Sequence, residues 1–171
     1  MAITMYSASI PTVQHILRSL MHVLDKGEAH AQARKIDPAA LTQFRLAPDM
    51  LPFTRQILIA CDGAKLGVAR IAGIEAPKFD DTEVSFADLK ARVQKTLDFL
   101  ATVTPEAMNG TEDKDITFPI SRDKTRTMKA EDYLRHWMLP NVFFHVVTAY
   151  DILRHNGVEL GKSDYLRGSQ A

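Results

Sequence analysis

The chain is poor in the features that would make its chemistry easy to read. It has one cysteine, Cys61, among 171 residues. A lone thiol cannot close an internal disulfide, which suits a reducing cytoplasm and excludes a disulfide-stapled scaffold. Neither sign of charge is in excess, since 21 basic residues balance 21 acidic ones. A nucleic-acid binder concentrates positive charge against phosphate, so no nucleic-acid partner is expected. The densest basic stretch, SRDKTRTMK (121–129), has no interleaved aromatic residue and reads as a solvated loop. No apolar run is long enough to cross a membrane, and MAITMYSASIPTVQ has neither the basic start nor the apolar centre of a secretory signal. Internal repeats are absent and strand signals are few. A soluble cytoplasmic protein with one domain over residues 1–171 is expected, and that length supports a core without metal or disulfide staples.

What the chain does have is helical periodicity. Ile10, Val13, Ile16, Leu17, Leu20, Val23 and Leu24 recur three and four apart, predicting a helix over 10–24 with Ser9 as cap and Pro11 in its first turn. His15 and His22 fall on the opposite side and read as surface residues. After Gly27, EAHAQARKI could add a short helical extension, and Asp37-Pro38 marks another short turn. A second long helix is predicted from Asp49 or Leu51 to Ala72, with Gly73 ending it. It is apolar on more than one side, and Gly63 and Gly67 call for close helix packing. Ser85, with Asp88 three residues on, caps a third helix whose stripe is Phe86, Leu89, Val93, Leu97 and Leu100. The segment DITFPI alternates as a short strand that Pro119 confines to an edge, giving a hairpin or extended arm. The last helix is predicted from Thr127–Glu131 to His155, kinked at Pro140 and ended by Asn156-Gly157. The fold class is therefore all-α: a four-helix bundle with a long crossover connection at 73–85 and a short extended arm before the last helix.

On the last helix Met138, Val142, His145, Ala149, Ile152 and Leu153 share one face, so His145 points toward the core. Two histidines four apart on a helix can reach one metal ion, but the chain reads Asn141-x-x-x-His145. A carboxamide is a weak ligand for zinc or nickel. The same residues fit a histidine held by hydrogen bonds from Asn141 or from Gln56 on the facing helix. Cys61 reads as a small buried hydrophobe, Asp62 as a surface ion-pair partner near Arg55 and Lys65, and Trp137 and Tyr150 as packing residues with polar tips. His155 complements the helix dipole in the last turn.

The segments APDMLPFTRQILIACDGAK and EDYLRHWMLPNVFFHVVTAYDILRHNGVELGKSDYL, with the layout of the helices, resemble a bacterial family known only as a domain of unknown function, grouped with the DinB/YfiT-like metalloenzymes. The resemblance spans essentially the whole chain. It implies a divalent-metal site of three histidines: one from the second helix and an H-x-x-x-H pair from the last, twelve residues before a loop glycine. Alignment on Gly157 puts the second of the pair at His145 and the first at Asn141, while the second helix offers Ile59, Ala60, Cys61 and Asp62 and no histidine.

The leading expectation is thus a DinB-like bundle with an eroded metal site and no cofactor, binding a small ligand near His145, Asn141 and Gln56; if any residue binds metal, it is His145. The alternative is a metal-dependent thiol transferase of the DinB/YfiT-like type using zinc or nickel, in which the metal ionises a small thiol. Whether the chain is an enzyme stays open between them. A homodimer is expected from Ile59, Leu66 and Met21, which lie outside the main apolar stripes and need cover.

Overall fold

The first helix starts earlier and runs further than its apolar stripe predicts. A computed structural model describes residues 3–167 and places α1 over Met5–Arg34. Thr4 is the cap: its Oγ1 accepts the Ser7 N–H at 3.2 Å, and Ser7 Oγ accepts the Thr4 N–H at 2.8 Å. Ser9 is not a cap but a buried helical residue whose hydroxyl donates to the Met5 carbonyl at 2.6 Å, and Pro11 lies inside the helix. Nor does Gly27 break the chain. A Cβ there would sit 2.8 Å from Leu153 Cδ1 and 3.0 Å from Phe86 Cε1, so glycine serves close packing.

The remaining elements are α2 (Pro38–Thr42), α3 (Phe53–Ala72), α4 (Phe86–Ala101), α5 (Pro105–Met108), β1 (Asp115–Ser121), β2 (Lys124–Lys129), α6 (Ala130–Tyr133), α7 (Leu139–His155) and α8 (Lys162–Arg167). The protein is mostly helical with one small antiparallel sheet, β1 on β2. The stretch read as a solvated loop supplies β2, where Thr125 and Thr127 pair with Pro119 and Thr117 of β1. That exposed strand has no apolar alternation of its own and exists because β1 offers it a ladder. It also delays the start of the last helical segment to Ala130. No helix of the described residues is long and apolar enough to cross a membrane.

The four long helices pack in a ring, α3 against α4 and α7, and α1 against α4 and α7. Leu17, Leu20, Ile57, Ala64, Leu89, Val93, Val142 and Ile152 are all fully buried at its centre. Helices α3 and α4 run parallel: their first residues, Phe53 and Phe86, stack at 5.9 Å between ring centroids, and Asp62 and Arg92 meet further along. A chain leaving the end of α3 must therefore return about 30 Å to start α4. The twelve residues 74–85 make that return without helix or strand, within an extended reach of about 40 Å. This is the long crossover. Its far end is set by the expected capping box, with Asp88 N–H on Ser85 Oγ at 3.1 Å and Ser85 N–H on Asp88 Oδ2 at 3.0 Å.

The crossing strap is fastened by charge. Arg92 on α4 is only 1% exposed. Its Nη1 donates to the Asp80 carbonyl at 3.2 Å and to Glu83 Oε1 at 3.0 Å, and its Nη2 to Asp62 Oδ1 at 3.0 Å and Asp81 Oδ1 at 3.2 Å. Arg55 holds Asp81 at 2.7 Å, and Lys65 sits 4.0 Å over the Phe79 ring while pairing with Asp62 at 2.9 Å. Asp62 is an ion-pair partner as its helix position suggests. Removing the buried Arg92 leaves the largely buried Glu83 without its partner and the partly exposed Asp62 and Asp81 without a shared one. Arg92→Met is expected to lower unfolding free energy by about 3 kcal/mol in urea denaturation, with Arg92→Lys losing less. An unchanged midpoint in Arg92→Met would show that the strap is held by other contacts.

Candidate functional site around His145

The last helix reaches its site through a change of winding. Residues Leu134–Met138 form a π-helical turn, closed by the Leu139 N–H donating to the Leu134 carbonyl. Pro140 follows at once and has no N–H to give, so the expected departure from α-geometry falls just ahead of it. The wide turn puts Met138 directly onto Gly67, where a Cβ would overlap the Met138 side chain. One turn on, Asn141 Nδ2 lies 3.2 Å from where a Gly63 Cβ would be. The two glycines of α3 thus let α7 lie close against it, antiparallel. Trp137 packs on Phe118 at 4.9 Å, and the Tyr150 hydroxyl reaches the Leu160 carbonyl at 3.5 Å.

That close approach brings His145 to Gln56, with Nδ1 and Oε1 2.7 Å apart. Gln56 is buried and its Nε2 donates to the Leu51 carbonyl at 2.9 Å, which leaves Oε1 for the histidine. A carbonyl oxygen only accepts, so His145 donates through Nδ1 and keeps a lone pair on Nε2. Burial pushes the His145 imidazole below its ordinary value, which favours this neutral form. The ring is half-buried, with Phe144 edge-on at 5.3 Å. Asn141 is on the same face, one turn earlier, against Gly63. Five surface depressions of about 150 to 460 Å³ open elsewhere, and none of the five is lined by Gln56, Asn141 or His145.

The residues do not fit a three-donor transition-metal centre. The α3 residue facing His145 is Gln56, not one of Ile59 to Asp62 where the alignment placed a ligand. Cys61 is fully buried, and burial pushes its thiol up to about 12 against a bond from Thr96 of α4. It therefore sits on the α4 side of α3 as a neutral thiol. Asp62 is committed to Lys65 and Arg92. One imidazole and two carboxamides remain, a poor set for zinc or nickel. Among the described residues no group of three His, Cys, Asp or Glu is arranged to hold a metal ion.

Two features were missed in reading the chain. Arg92 falls in the α4 stripe Leu89, Arg92, Val93, Thr96, Leu100, and a charge in a core stripe was the signal for a buried ion cluster. His15 and His22 lie away from the core, yet α8 covers their side. His15 Nε2 is 2.6 Å from the Leu166 carbonyl, and His22 Nε2 is 2.9 Å from Asp164 Oδ1. Burial pushes the Asp164 carboxyl up, but the Gly161 N–H, His22 and Lys26 outweigh it and hold it at about 2.

Fold and site together define a DinB-like helical domain. A crystal structure of a DinB family member protein from Shewanella denitrificans superposes with a TM-score of 0.88 at 38% identity, covering 94% of this chain and 90% of that chain. The chain belongs to the family described as Domain of unknown function (DUF1993), whose model matches residues 5–166. No curated protein matches it.

Because burial makes the folded His145 a weaker base, the unfolded chain takes up a proton more readily than the folded one as pH falls below the ordinary histidine value of about 6.5. The stability it contributes is present above that pH and is lost on acidification. Urea midpoints followed downward from pH 7.5 should therefore fall more steeply for the native chain than for His145→Gln. Parallel curves would mean that His145 titrates alike in both states.

Proposed function

We propose that this protein is a single-domain four-helix bundle of the DinB/YfiT-like type in which a hydrogen-bonded His145–Gln56 pair, with Asn141 beside it, stands where a metal centre would be. Its role is to bind a small ligand through the free Nε2 of a neutral imidazole. The observation that carries this reading is the 2.7 Å contact of His145 Nδ1 with Gln56 Oε1, because it fixes the tautomer and consumes the carboxamide oxygen. The fitting ligand offers a hydrogen-bond donor, such as a hydroxyl or amide, to Nε2. A buried unpaired Cys61 suits a reducing cytoplasm, and the even charge balance gives nucleic acid no purchase.

Purified protein is expected to carry no stoichiometric transition metal, and added zinc or nickel should raise the melting temperature little. His145→Ala should cost about 1–3 kcal/mol through a partly polar cavity and an unpaired Gln56 oxygen. Elemental analysis giving about one metal per chain, lost in His145→Ala, would replace this reading with the metal-dependent thiol transferase.

The bundle pairs with a second copy. Ile59 and Leu66 are half-buried on α3, and Phe144 stands 57% exposed on the neighbouring α7. Met21 instead packs partly into the protein's own core. Light scattering should give twice the chain mass, and Phe144→Lys should reduce it; a monomer at high concentration would remove this element of the proposal.

A further inference from the structure

The strap and α4 enclose a second feature, unrelated to His145. Between them lies a depression of about 290 Å³ whose lining carries three cations, Lys78, Arg92 and Lys95, and three carboxylates, Asp80, Glu83 and Asp88. Two buried atoms of these residues, Arg92 Nε and Glu83 Oε2, have no hydrogen-bond partner. Every other polar atom of the Arg92 head is engaged: Nη1 by the Asp80 carbonyl and Glu83, Nη2 by Asp62 and Asp81. Asp88 Oδ2 is taken by the Val84 and Ser85 amides and the Ser85 hydroxyl. Buried polar atoms are paired in native proteins almost without exception, so these two show that the charges of the strap and α4 are not fully matched among themselves beside the depression.

We infer that this depression binds a small neutral zwitterion, of the class of a free α-amino acid. An anion alone would find three carboxylates in the wall, and a cation alone would find three bases. Either would be desolvated against like charge. A zwitterion sets its ammonium toward Glu83, Asp80 and Asp88 and its carboxylate toward Lys78 and Lys95, so both ends gain charge-assisted bonds. The space suits a short side chain. A bound molecule would bridge the strap to α4 and tighten the long irregular connection between α3 and α4.

The test is calorimetric titration of the full chain with alanine, and separately with propionate and ethylamine, which each carry one half of its charge. Alanine should bind saturably while the two half-ligands do not. Glu83→Gln, which keeps shape and removes charge, and Lys95→Met, at an exposed position that folding does not need, should each weaken alanine binding by about tenfold or more. His145→Ala should leave it unchanged. No saturable heat up to about 10 mM alanine would mean that water alone fills the site and would overturn the inference. Unchanged affinity in both strap-site variants, equal binding of propionate or ethylamine, or loss of binding in His145→Ala would overturn it too.

Discussion

One nearly inaccessible guanidinium holds the connection on which the arrangement of helices depends. Because α3 and α4 run parallel, the chain must travel back along the length of α3, and a segment with the composition of 74–85 cannot make helix or sheet on the way. Arg92 receives it through two carboxylates and a carbonyl of the strap and one carboxylate of α3. Desolvating that many charges is expensive, and a buried ion set is seldom the cheapest route to stability. Its gain here is geometric. Only one path of the strap brings Asp80, Asp81 and Glu83 to the same point while Arg55 draws Asp81 and the Phe79 ring lies under Lys65.

With α4 held on one side of α3, the other side is left for α7, and its surface is made by glycine. Gly63 and Gly67 weaken α3 as an isolated helix by roughly 1 kcal/mol each, yet Gly67 admits Met138 where a Cβ would overlap it, and Gly63 leaves a tight 3.2 Å seat for Asn141. The π-helical turn before Pro140 adjusts the phase of α7 to match. The His145–Gln56 bond is the product of this fit. A glutamine at this point fixes the ring and its tautomer by accepting from Nδ1.

The helices were legible along the chain because their causes are local. Ser85 and Asp88 form a capping box from residues three apart, Gly73 ends α3 in the left-handed conformation at φ 70°, and the apolar stripes that defined the helices lie in the core apart from the half-buried Leu97. Pro119 and the alternation around it marked β1. Where competing signals met, local reading failed. Ser9-Ile10-Pro11 has the form of a helix start, but Thr4 and Ser7 cap one earlier, and helix α1 continues through Gly27 because Leu153 and Phe86 need that space.

By itself the sequence determined the helix periodicity, the Ser85–Asp88 and Gly73 caps and the buried stripes, since each depends on residues within a turn or two of one another. Tertiary structure decided that it is Gln56 rather than Asn141 that bonds His145, across 89 residues, that Arg92 gathers Asp62 with the strap carboxylates, that Cys61 turns toward Thr96, and that Lys124–Lys129 becomes a strand. These choices are set by which helices are neighbours and in which direction they run. No period of 3.6 or 2 residues encodes that. It is settled when the strap, the glycine contacts and the wide turn are satisfied together.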